Sequence, residues 1–290
     1  MQFRKIQWFV LLTILAYLFM VIIQGIFISS ELVQVYGTEL IFLVFGSLFL
    51  IRHRRDVFDF VRLQMPPWWS FLIVVPIVLS AIFLSSFVTA VSMLLTRSFN
   101  LVDIPATDLT SVTSSNFLLV LSFSVLPGIV EEFYCRGVLL HAYQESISTR
   151  ASIFYSALIF GLLHFNLWNI LSPMILGIVF ALLTIRFDSI VPAMFGHALF
   201  NLLVIGFEKI RLAGELVDDT TIIGWGDIPG LLPTTILSIA FLVFVFRQLG
   251  VGAYFRSAPS KITWWDHIPT ILVLIVFVAI NYFIQKGLGL

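Results

Sequence analysis

Charge is what this sequence has least of. Only 11% of its residues are Asp, Glu, Lys or Arg, against roughly 25% in soluble domains. With 60% of residues hydrophobic and a mean hydropathy of +1.06, that shortage excludes an ordinary soluble fold. No run of Lys and Arg is present, which excludes a nucleic-acid-binding arm. Sixteen basic residues balance sixteen acidic ones, so net charge identifies no partner. Cys135 is the single cysteine, which excludes an intrachain disulfide and leaves the redox compartment unread. No polar stretch is long enough to form a soluble domain of its own.

Long apolar runs fill the sequence instead. A membrane-spanning helix needs about 20 largely apolar residues, and nine segments approach this: 7–29, 33–51, 68–95, 116–145, 150–166, 170–186, 190–207, 231–247 and 267–284. Segments 33–51 and 170–186 are short or mixed. The expected fold is therefore an all-α polytopic membrane bundle of eight or nine transmembrane helices, forming one domain over 1–290. The first run follows Arg4 and Lys5 and is too long for a signal-peptide core, so it reads as a retained first helix. With nine spans and a cytoplasmic N-terminus, eleven Lys and Arg fall on the inner side and four on the outer, Arg136 being the sixteenth. This bias predicts a cytoplasmic N-terminus, in a plasma membrane if the chain is prokaryotic. The acidic 208–230 loop would then face outward.

Against this apolar background, PGIVEEFYCRGVLLH places Glu131, Glu132 and Arg136 inside one span. An ionised group at the bilayer centre costs at least ~2.5 kcal/mol, so three within six residues require a reason. Glu132 and Arg136 are four apart with the acid first, the favoured order for an ion pair on one helical face. A buried pair of this kind commonly fixes helix packing. Glu131 lies ~100° around the helix from Glu132, without a partner at that spacing, and is the candidate general base.

Three further polar residues lie in later spans: His164 in IFGLLHF, and His197 and Asn201 in MFGHALFN. If 116–145 and 150–166 form an antiparallel hairpin turning near residue 148, Glu132 (sixteen before) and His164 (sixteen after) come level. Glu131 and His164 then share a depth. His197 and Asn201 share one helical face and offer two donors to one oxygen, as an oxyanion site requires. Singly, His164 would more often be a packed core histidine and Asn201 interhelical glue. The depths also conflict. His197 stands ~12 Å from the near end of its span and His164 ~21 Å. The first three spans offer almost no buried polarity, so the chemistry is expected in a four-helix core, 116–207.

The motifs EEFYCR, FGLLH and HALFN, in that order on successive spans, resemble those of the CAAX-processing and bacteriocin-processing (CPBP, or ABI) membrane proteases. The family pattern Glu-Glu-x-x-x-Arg, Phe-x-x-x-His and His-x-x-x-Asn is met at Glu131, Glu132, Arg136, Phe160, His164, His197 and Asn201. The resemblance implies an intramembrane endopeptidase acting on a peptide or C-terminal tail of a membrane-associated protein, lipidated or not. It implies that Glu131 and His164 activate water, that His197 and Asn201 hold the oxyanion, and that Glu132, Arg136 and Phe160 shape the site. The expected cofactor is none. Zinc on Glu131, His164 and His197 is the alternative, two His and one Glu being a known catalytic ligand set. Two other functions compete. Buried Glu, His and Arg also line ion or proton paths in transporters, although no paired repeat of broken helices is evident. A non-catalytic peptide-binding immunity protein on the same fold is the other.

Overall fold

The computed structural model describes residues 2–98, 112–213, 224–258 and 262–288. Among these, seven helices are long and apolar enough to cross a membrane. In chain order the helices are α1 Phe3–Phe27, α2 Glu31–Arg52, the short α3 Val57–Val61, α4 Trp69–Ser98, α5 Asn116–Gln144, α6 Thr149–Leu162, α7 Leu171–Phe187, α8 Val191–Ala213, α9 Ile228–Gln248 and α10 Ile268–Leu288. All nine expected spans are matched by a helix, so the all-α polytopic bundle is borne out. Segment 33–51 is a full-length helix. By contrast α6 and α7, at 14 and 17 residues, are ~21 and ~26 Å long and shorter than a ~30 Å hydrocarbon core. Part of the 208–230 loop, Lys261 and the C-terminal 289–290 lie outside the described residues.

Local signals set several boundaries. The Ser115 and Ser148 hydroxyls accept from the Leu118 and Ala151 backbone N–H groups, capping α5 and α6. Asp188, in the left-handed region at φ 49°, ends α7, and Gly250 at φ 66° follows α9. The core helix is α5. Within its best apolar window 44% of residues are buried, against 17–28% in the other long helices, because α2, α6 and α8 all pack on it. It is not uniformly α-helical. Two π-helical stretches, Leu121–Val125 and Phe133–Leu140, flank a regular segment, Leu126–Glu132. Such widened turns favour functional sites, and these bracket the two glutamates.

The loops after α2, α5, α7 and α9 gather at one end. Arg55 pairs with Glu145 at 2.6 Å and Arg62 with Asp188 at 2.7 Å, while Thr149 N–H donates to Arg256 O. Part of the segment 57–67 is recessed, although Val57, Phe58 and Met65 are exposed. Val61 is fully buried against Gly137, about seven residues or ~10 Å along α5 from Gln144. The Ile190 N–H donates to Arg62 O, so α8 begins at that recessed level. Ser189 and Ile190 just before α8 are fully buried, so His197 is counted from a start already enclosed by protein.

Candidate active site

Helix α8 reaches α5 because two small residues face each other. A Cβ on Gly128 would lie 2.9 Å from Ala198 N and 3.0 Å from Ala198 Cβ, and the Ser124 hydroxyl donates to Ala198 O at 2.7 Å. This close crossing sets His197 against the glutamate pair. Its Nδ1–H donates to Glu132 Oε1 at 3.0 Å, the oxygen that also accepts from Arg136 Nη1 at 2.8 Å. Glu132 and Arg136 are both fully buried. The expected i,i+4 pair is present, and it carries a third member that spacing on one helix could not reveal.

Aromatic rings complete the enclosure. The Arg136 guanidinium lies 4.2 Å from the Phe160 ring centre and 5.5 Å from that of Phe180, which suits a cation whose Nε and Nη2 have no hydrogen-bond partner. His197 stacks on Phe180 at 5.4 Å and meets Phe160 edge-on at 5.6 Å. Gly177 makes room for this on α7, since a Cβ there would sit 2.9 Å from Ala157 Cα and 3.2 Å from Arg136 Nη2. Phe160 therefore touches Arg136, His164 and His197 at once, in accord with its place in the motif.

His164 is not within a helix, as its apolar surroundings suggested. It stands in the turn after α6, followed by Phe165 at φ 46°, a conformation unusual for a bulky residue and frequent at functional sites. The Phe165 ring stacks on Tyr17 at 5.6 Å. His164 Nδ1–H donates to Phe160 O at 2.8 Å, which leaves Nε2 as the free nitrogen. The residue is exposed.

Glu131 is half-buried. It makes no described hydrogen bond or ion pair to His164; its electrostatic neighbours are Glu39, His197, Glu132 and Arg136. Asn201 follows one turn after His197, half-buried, its amide engaged in no described hydrogen bond. Structure thus joins Glu131, Glu132, Arg136, His197 and Phe160 in one cluster, with His164 attached through Phe160. The expectation that the first three spans lack buried polarity is overturned. Gln7, Gln24 and Glu39 are 0%, 3% and 7% exposed, and the Glu39 carboxyl group faces that of Glu131. The signal for Glu39 was an acid in the middle of an apolar segment, which by the cost of burial alone is a functional candidate.

Among the described residues no three His, Cys, Asp or Glu side chains are grouped to hold an ion. The Nδ1 atoms of both histidines are engaged by Phe160 O and Glu132, so Nε2 is the nitrogen each of them has free.

The protein is thus an all-helical membrane bundle in which carboxyl, imidazole and guanidinium groups converge on one cluster. Residues 113–203 match the family model described as type II CAAX prenyl endopeptidase Rce1-like, a family of CAAX-processing proteases. The resemblance read from the three motifs is borne out over that segment, and with it a peptidase embedded in the membrane. No curated protein and no solved structure matches the chain.

Proposed function

We propose that the protein is an intramembrane endopeptidase that hydrolyses a peptide bond in the C-terminal tail of a membrane-associated protein, with Glu131 as general base and without a metal. The observation that carries this is the fixed ring of His197. Nδ1–H is committed to Glu132, so only Nε2 remains for substrate, and Asn201 lies one turn further on the same face. To donate from Nε2 as well, the ring must carry both protons.

In this reading the water oxygen bonds to the scissile carbonyl carbon while one water proton passes to the Glu131 carboxylate. The carbonyl electron pair moves onto oxygen, where His197 Nε2–H and the Asn201 amide donate to it. The C–N bond then breaks, and the proton held by Glu131 goes to the leaving nitrogen, directly or through His164 Nε2. Arg136 holds Glu132, and Phe160 holds the two histidines apart. The lysine and arginine bias supports a cytoplasmic N-terminus.

The test compares membrane peptides by mass spectrometry with wild type and with Glu131→Gln. The amide keeps the shape and removes the base, so cleavage should fall ~10²–10⁴-fold in a protein that is still folded. Equal product from the two proteins refutes the assignment.

A further inference from the structure

One buried acid belongs to neither the motifs nor the proposed chemistry. Glu39 lies on α2, 7% exposed, with one carboxyl oxygen, Oε2, buried and unpartnered. Its carboxyl group faces that of Glu131 at close range. Contacts on both sides fix the register of α2 against α5. Tyr36 and Ser122 hydroxyls are 2.7 Å apart, Phe42 packs on Tyr134 at 5.5 Å between ring centres, and Gly46 lies against Phe133. The glutamates therefore meet because two helices are locked together.

Two carboxylates held this close in a buried site repel each other, a conflict that one proton between them removes. The groups around it are Tyr17 on α1, Glu132 and Arg136 on α5, and His197 on α8. Arg136 is already engaged by Glu132.

We infer that Glu39 is a positioning residue for Glu131, its carboxyl group holding that of Glu131 through a shared proton and leaving one Glu131 oxygen to face the substrate water. This rests on the general-base reading for its consequence in catalysis, and on the α2–α5 contact for its geometry. The single remaining charge still accepts the proton from water, so the balance of the hydrolysis is unchanged.

Infrared spectroscopy of the full-length protein reads the pair without any substrate, because a carboxylic acid has a C=O stretch that a carboxylate lacks. The band at neutral pH should shift or vanish in Glu39→Gln and in Glu131→Gln alike. A band altered by Glu131→Gln and untouched by Glu39→Gln overturns the pairing. With a quenched-fluorescence peptide ending in a prenylated CAAX sequence, Glu39→Leu should lower kcat ~10–100-fold at little-changed KM. Glu39→Gln, which still donates to Glu131, should recover most of that loss. Wild-type kcat in folded Glu39→Leu refutes the inference. If that variant does not fold, Glu39→Asp withdraws the carboxyl group by one methylene, and unchanged kcat there refutes it equally. Activity in Glu131→Gln would instead sink the general-base reading, a result the infrared pairing does not depend on.

Discussion

The ion triad at the bundle centre permits a quantitative test. Glu132 and Arg136 are fully buried and 2.8 Å apart, with His197 on the same carboxylate oxygen. Removing one partner of such a pair costs about 3–5 kcal/mol, because the other charge stays buried without compensation. The two single variants should differ. Glu132→Gln leaves Arg136 with only the faces of Phe160 and Phe180, since its Nε and Nη2 already lack partners, and should incur the full cost. Arg136→Met leaves Glu132 a hydrogen bond to His197 and should be milder. The double variant removes both charges and should recover part of the loss, replacement of a whole buried pair being often near neutral. Thermal unfolding in detergent, followed by the fluorescence of the seven tryptophans, gives the order directly. The Glu132→Gln deficit corresponds to roughly 6–20 °C at ~2–4 °C per kcal/mol. Two single variants as stable as wild type, with a double variant no better, would refute the reasoning.

Two further outcomes are expected. Asn201→Ala should lower kcat ~10²–10³-fold with KM nearly unchanged and His197→Ala should do likewise, whereas stoichiometric zinc by elemental analysis, lost in the His197 variant, would make His197 a ligand instead. Gly128→Ala forces α5 and α8 apart and should destabilise by about 1–3 kcal/mol with reduced turnover; Gly206→Ala on α8, where a Cβ meets nothing within 4 Å, is the control, and equal behaviour of the two removes the close crossing from the account.

The helices were legible in the sequence because a span is dictated by length and apolarity, both one-dimensional quantities. The motif residues were legible because charge is costly in lipid and therefore stands out. What spacing could not convey was three-dimensional. Glu132 and Arg136 are four apart on one helix, but the His197 contact depends on the Gly128–Ala198 crossing. The π-helical turns of α5 are backbone events with no composition of their own. Counting residues placed His164 inside a helix and His197 at a different depth, since nothing in the sequence marks 57–67 as recessed or α6 as ending at Leu162. Glu39 was readable in principle; the apolar run around it concealed that an acid there needs a partner.

The shortness of α6 has a consequence for supply. Hydrolysis consumes one water per bond broken, and the hydrocarbon interior holds almost none. An upright α6 stops ~9 Å short of the far edge of a ~30 Å hydrocarbon layer, at the end opposite the arginine-lined loops. The turn that follows would be intolerable in lipid with bare backbone groups. Asn281 of α10 instead accepts from the Leu167 N–H at 3.0 Å, Asn169 accepts from Thr89 at 2.8 Å, and Ser172 is bonded to Ser85. The truncated helix thus puts a turn of partnered polar groups, beginning near His164, where a full-length helix would present only lipid-facing wall, and polar groups at that level are what water moving toward a hydrolytic site requires.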